Sequence, residues 1–228
     1  MSGEPRGRRI PSLLDEGLLG MSGGSNPTSP LHTTSVKKFR VRPCGELGTK
    51  AIRAFIETHH YLHNVNGVRI DYCFGLYHEE RLIGAAIFGK PAMANIWRKY
   101  VNAENKLTEL RRFYCVDDAP KNTESRFIGI CARWLQKRSP VEAILSYSDP
   151  HFGHEGIIYK ATGFTYLGQT ACSKVIKFDG REWHEKVIRN KHNGKLKPFA
   201  IRLKKALDDG KAVFESRNGK HIFIKTIR

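Results

Sequence analysis

The stretch Ile158-Tyr159-Lys160-Ala161-Thr162-Gly163-Phe164 decides how this chain is read. Gly156 to Thr162 has the length of a short helix. Gly163 stands where a helix closes in the left-handed conformation that glycine adopts without steric cost, and Phe164 opens the next strand. Tyr159 falls one turn before that cap, so its phenol points from the helix toward the sheet. A tyrosine so placed serves equally as core packing, and the seven residues alone do not choose between the two roles.

Working outward, Phe39 and Val41 alternate with Arg40 and Arg42 as in a strand, and Ile52, Phe55 and Ile56 recur at helical spacing. His59 to Gly67 reads as a polar loop. Ile70 to Leu76 and Leu82 to Phe88 form a hairpin about His78-Glu79-Glu80, Pro91 to Lys106 is an irregular insertion, and Leu107 to Val116 is a fourth strand. Asn122 or Thr123 caps a helix whose apolar side is Phe127, Ile130, Cys131, Trp134 and Leu135, stopped by Pro140. Val141 to Tyr147, Phe164 to Leu167 and Ser173 to Phe178 complete the strands. The order is an α/β fold with a mixed, mostly antiparallel central sheet and flanking helices. Beyond it, Leu196 to Leu207 is a basic amphipathic helix. Asn218-Gly219 predicts a type I′ hairpin between Ala212–Ser216 and His221–Ile227.

Composition sets the partners. Of 228 residues, 39 are Lys or Arg against 22 Asp or Glu, a net charge of +17, and the 40% hydrophobic content is enough for a core. Such an excess points to a polyanion. It lies wholly after residue 36; Asp179 to Arg228 alone carries +8. Three regions are expected: a disordered arm over 1–36, rich in Gly, Ser and Pro; a core over 37–178; and a basic helix-and-hairpin extension over 179–228. No apolar run is long enough to span a bilayer, and Asp15, Glu16 and Gly17 interrupt the leucines that would form a signal peptide, so no membrane is expected as partner. Five widely spaced cysteines without C-x-x-C fit a reducing cytoplasm. No sequence feature points to a protein partner.

The Tyr-x-x-x-Gly-Phe segment, with this element order, resembles GNAT-type acyltransferases over about residues 37–178. The resemblance implies a GNAT-like core in which Tyr159 protonates a thiolate leaving group. It also implies a phosphate cradle for acetyl-CoA after the fourth strand, where backbone N–H groups and a helix N-terminus hold a pyrophosphate. This chain departs from the usual R/Q-x-x-G-x-G/A there: Asp117 to Arg126 contains no glycine and begins with two acids. Ser125 and Arg126 remain as contacts for an anionic donor, although Ser125 also suits a helix cap.

His59-His60-Tyr61, Glu109-Leu110-Arg111-Arg112-Phe113, Ser125-Arg126-Phe127, Ser146-Tyr147-Ser148-Asp149-Pro150 and Tyr159 together resemble the Mom DNA-modification proteins of Mu-like phages. That resemblance implies conversion of adenine in double-stranded DNA to N6-carbamoylmethyladenine, which protects phage DNA from restriction, in the cytoplasm of the host cell. It places His60 and Tyr61 at the acceptor entrance, Arg111 or Arg112 on the cleft face of the central strand, Ser125 at the cradle, Asp149 against the adenine amino group and Tyr159 at the leaving group. Asp149 before Pro150 is also a natural Asx-turn. Trp97, Tyr100 and Phe152 are the aromatics available to stack on a base.

The family is associated with iron, for which His60 and Asp149 are the candidates; H-E-x-x-H and the zinc deaminase signature are both missing. Asp149-Pro150-His151-Phe152 superficially echoes the D-P-P-Y/F of adenine-N6 methyltransferases, but no Gly-rich loop for S-adenosylmethionine accompanies it. The donor is open between acetyl-CoA and a glycine-derived or aminoacyl group, because a carbamoylmethyl group contains nitrogen that acetate lacks. Two other readings stay beside the modification enzyme: a non-catalytic nucleic-acid-binding protein on a degenerate GNAT fold, and a small-molecule N-acetyltransferase.

Overall fold

The structure is a computed structural model that describes residues 31–228. Strand β1 (Arg40–Pro43) leads into α1 (Glu46–His59), followed by β2 (Tyr72–His78), β3 (Arg81–Gly89) and β4 (Leu107–Cys115). Then come α2 (Thr123–Arg138), β5 (Ala143–Ser148), α3 (Ile157–Ala161) and β6 (Thr165–Gln169), the expected order. The remainder is β7 (Ser173–Phe178), β8 (Arg181–His184), the two-residue β9 (Lys191–His192) and β10 (Lys195–Leu196), α4 (Pro198–Asp208), β11 (Val213–Arg217) and β12 (His221–Thr226).

The central sheet runs β1-β2-β3-β4-β5-β12-β6. Its pairs are antiparallel except β4 with β5, which are parallel over Leu107–Glu109 and Ala143–Leu145. Past that point no further pairing joins β4 to β5, and the sheet opens. Helix α2 buries Phe127, Ile128, Cys131 and Leu135 against Phe74, Phe88, Ile144 and Phe223 on one face, each large side chain contributing roughly 1.5–3 kcal/mol. Helix α1 covers the β2–β3 half of the other face with Ile52 and Ile56. The 91–106 insertion covers the rest of that face: Ile96, Trp97, Tyr100 and Val101 pack on Leu107, Leu145, Ile222 and Ile224. Trp97 is thus part of the apolar layer rather than a base-stacking residue, because β5 and β12 leave that face without a helix.

The expected hairpin does not form. Strands β11 and β12 join different sheets. Residues 165–178 and 213–226 instead make one bent antiparallel ribbon in nearly constant register: His221 faces Gln169 in the central sheet, and Arg217 faces Ser173 in a second sheet. At the bend Thr170 N–H donates to Lys220 O and Lys220 N–H to Thr170 Oγ1, both at 2.9 Å. A Cβ on Gly219 would lie 1.8 Å from Thr170 O, so the glycine serves close backbone approach, not a two-residue turn. Phe223 and its neighbours Ile222 and Ile224 are apolar on both faces of β12, which only a place inside the sheet can cover.

The boundary expected at residue 178 therefore does not end the core. Residues 170–220 are an insertion between two central strands. In it the sheet β11-β7-β8 carries α4 on one face, with Ile176, Leu203, Ala206 and Ala212 buried between them. The arm expected over 1–36 falls outside the described residues up to residue 30. From 31 it is ordered: Leu31–Thr33 and Val36–Lys38 form two 3-10 turns, and Leu31 is buried in the main core.

Candidate active site

Where β4 and β5 separate, a cavity of about 360 Å³ opens, lined by His60, Tyr61, Arg111, Arg112, Ser148, Asp149 and Tyr159 among others. The order of residues in β4 explains how two consecutive arginines both reach it. Ile87 pairs with Arg112 and Phe88 with Leu110, so Arg111 is the extra residue of a β-bulge. A bulge re-aims side chains that strict alternation would send to opposite faces. Arg111 Nη1 lies 3.3 Å from the buried Glu109 carboxylate, which also accepts the Ala92 N–H. Burial raises the Glu109 pKa against the pull of Arg111. Arg112 donates to Asn64 O at 3.0 Å and to Arg111 O at 2.7 Å, tying the acceptor loop to the strand.

Asp149 follows β5 directly and is 7% exposed. Its two oxygens have separate tasks. Oδ1 accepts the His151 N–H at 3.1 Å, the Asx-turn that caps the 3-10 turn Pro150–Phe152, and Oδ2 pairs with Lys220 Nζ at 3.0 Å. Tyr159 sits on α3, which starts from left-handed Gly156. A Cβ at that glycine would strike the Phe223 ring at 2.2 Å. Tyr159 packs against Phe164 and Phe223, and burial pushes its pKa up to about 12, so the phenol keeps its proton throughout the neutral range.

At the mouth, His60, Tyr61 and Phe152 form a ladder of rings with centroids 4.3 and 4.4 Å apart. Arg217 of the insertion lies over Phe152, and its Nη2 reaches His151 Nε2 and the Glu182 carboxylate. His60 is buried with Nδ1 accepting the Leu62 N–H at 3.1 Å. Burial, then Arg112, lowers its pKa to about 4, so the ring is neutral. Arg111 Nε, Ser146 Oγ and Ser148 Oγ are buried without a hydrogen-bond partner among the described residues. Unmet polar atoms beside a cavity are where a ligand's polar groups fit.

Ser125 and Arg126 do not line this cleft. They border a second cavity of about 840 Å³ between α2, α3 and the end of β12, together with Arg133, Lys225 and Arg228. Ser125 Oγ donates to Asn122 O within the first turn of α2. Arg126 reaches Phe39 O, and Lys225 donates to Thr162 O at the end of α3. Asp117 and Glu124 border the first cavity, so the acids expected at the cradle entrance lie between the two.

Both proposed iron ligands border the cleft, but they do not make a metal site. No group of three or more His, Cys, Asp or Glu side chains converges among the described residues, and the Asp149 carboxylate is taken by an ammonium. The residues present do not fit iron, and no step below passes through it. Sequence reasoning missed Lys220 and Arg217. Their only signal was the charge of their segment, since nothing local couples them to the Asp149–Phe152 turn.

Fold and site together define a mixed α/β protein with a split-sheet cleft and a basic module inserted beside its mouth. Over residues 39–226 the chain matches the model of the Mom protein family, and it belongs to that family. It is 30% identical over 142 residues to the protein named methylcarbamoylase mom of Escherichia phage Mu; the match covers 60% of this chain and 57% of that protein. The chain thus aligns with little more than half the length of this relative. Among solved structures it is similar to an N-acetyltransferase from Staphylococcus aureus (12% identity, TM-score 0.44, 83% of this chain and 97% of that one). It is also similar to the spermidine/spermine N-acetyltransferase of Vibrio cholerae (8% identity, TM-score 0.46, 84% and 94%). No helix among the described residues is long and apolar enough to cross a membrane.

Proposed function

We propose that this protein modifies adenine in duplex DNA, transferring a carbamoylmethyl group to N6 and so shielding phage DNA from restriction inside the host cell. The observation that carries the reading is the convergence of Asp149, Tyr159, Arg111, Arg112 and Tyr61 on one cavity at the split of β4 and β5. A base in a duplex must be flipped to reach such a cavity, at a cost of a few kcal/mol. The exposed rings of Tyr61 and Phe152 offer a stacking surface at the mouth. Exposed Lys197, Arg202, Lys204, Lys205 and Lys211 on the insertion offer phosphate contacts.

Adenine N6 is a weak nucleophile because its lone pair is delocalised into the ring. As N6 bonds the donor carbon, its proton passes to the Asp149 carboxylate, and the departing group takes the Tyr159 proton. A phenol with its pKa pushed up to about 12 suits the second task, since it arrives protonated. The donor is an acyl-CoA or a glycine-derived or aminoacyl group. Its anionic part suits the arginine- and lysine-lined cavity behind α2, where Ser125 and Arg126 lie.

Mass spectrometry of nucleosides from cells expressing the protein tests the reading. An adenine adduct with the mass of a carbamoylmethyl group is expected. Unmodified DNA together with tight duplex binding would leave the non-catalytic binder instead.

A further inference from the structure

Lys220 stands where the inserted module meets the carboxylate of the cleft. Its backbone is fixed at the ribbon bend by the two hydrogen bonds to Thr170, so only its side chain is free to change partners. That side chain is 51% exposed, whereas the Asp149 side chain that it pairs with at 3.0 Å is 9% exposed. An ion pair with one solvent-facing partner opens at that partner. Lysine is also a flexible point charge that binds phosphate well. When an adenine enters the cleft from a duplex, its flanking phosphates come to the same rim, beside Arg217 and the Tyr61–Phe152 rings.

We infer that Lys220 is a shared cation: it pairs with Asp149 in the free protein and moves to a phosphate flanking the target base in the complex. The arrival of duplex DNA is then what releases the carboxylate. The inference rests on the reading of the protein as a DNA-base modifier and adds a source of specificity to it. A free nucleoside brings no flanking phosphates and leaves Asp149 paired, so the site favours polymeric DNA. Lys220 acts through Asp149 and is a positioning residue.

The test is a double-mutant cycle on binding, read by fluorescence anisotropy of the full chain with a short duplex over a range of salt. Lys220→Met should lower the slope of log K against log salt by about 0.9, the value of one neutralised phosphate, and Lys220→Arg should keep it. Asp149→Asn, which frees Lys220 beforehand, should bind duplex several-fold tighter than wild type. That gain should vanish when Lys220→Met is added. An unchanged slope in Lys220→Met, or an equal gain in both backgrounds, overturns the inference. If Lys220→Met melts early, Asp149→Asn decides alone: no gain in affinity overturns it. Wild type that fails to bind duplex DNA overturns both this and the function. A cycle that holds while nucleoside analysis finds no modified adenine overturns only the function.

Discussion

The ring of Tyr61 stands 4.4 Å from the ring of Phe152 across the mouth of the cleft, one from the loop after α1 and the other from the turn after β5. Both are exposed, at 38% and 40%, yet each is backed: His60 stacks under Tyr61, and Arg217 lies over Phe152. Rings held this way present faces to a base without paying much to order themselves.

Phe152→Ala should therefore lower kcat/KM on duplex DNA by about tenfold, within the roughly 1–3 kcal/mol that one aromatic–base stack contributes. Its melting temperature should stay near that of wild type, since the ring is partly solvent-exposed. Steady-state kinetics beside a thermal melt checks both parts. Full activity in Phe152→Ala would remove the ring from base capture.

Tyr159→Phe keeps the packing against Phe164 and Phe223 and removes only the hydroxyl. Modification should fall by at least about 10²-fold, the scale of a positioned acid. With its pKa pushed up to about 12, the phenol stays protonated from pH 7 to pH 10, so no loss of rate in that window should trace to this group. An alkaline limb with its midpoint near pH 9 that disappears in Tyr159→Phe would contradict the assignment.

His60 supplies a stability prediction with a definite sign. Burial, followed by Arg112, lowers its folded pKa to about 4 from an ordinary 6.5. Between those values the unfolded chain binds the proton and the folded one does not. The contribution of neutral His60 is thus fully present above about pH 6.5 and is lost as pH falls toward 4. The drop in melting temperature from pH 7.5 to pH 5 should be smaller in His60→Gln than in wild type. The difference should be at least about 2–4 °C, the shift that 1 kcal/mol produces in a chain of this size. Equal drops would show that His60 is not buried as a neutral ring.

Much of this arrangement is legible in the sequence. Alternation and helical spacing give the elements through Leu167, and Tyr-x-x-x-Gly-Phe places Tyr159 on its short helix. What period cannot give is the partner of a strand. Asn218-Gly219 carries the local signal of a hairpin, but the apolar faces of Phe223 and Ile224 are satisfied only between β5 and β6, so long-range burial overrides the turn. The same limit hid the bulge that brings both Arg111 and Arg112 to the cleft, and the Lys220–Asp149 pair. Trp97 misled because an irregular segment was read as exposed, when it covers a sheet face that no helix covers.

Gly156 should tolerate no side chain. Its φ is +72°, and a Cβ would lie 2.2 Å from Phe223. Gly156→Ala combines a left-handed cost of roughly 1–2 kcal/mol with a clash against a core ring. Its midpoint in urea should fall clearly, with the slope unchanged. A wild-type midpoint would mean that α3 starts differently.

Phosphate binding by the insertion is best tested by charge, because removing residues 179–228 would pull β12 out of the central sheet. Changing Lys204, Lys205 and Lys211 to Gln should reduce the salt slope of duplex binding by up to about 2.7, at about 0.9 for each phosphate that a lysine neutralises. All three are exposed, so the melt should hardly move. An unaltered slope would place the DNA elsewhere.

The account depends most on Asp149, whose carboxylate lies in the cleft between a lysine and a backbone N–H. Asp149→Asn is nearly isosteric and should fold normally. Mass spectrometry of nucleosides from cells expressing wild type or Asp149→Asn measures its role directly. Wild type should yield carbamoylmethylated adenine, and the variant at least about 10²-fold less, the loss expected when a positioned base is removed. Modified adenine at wild-type levels in Asp149→Asn would contradict the mechanism and leave Asp149 as the cap of a turn.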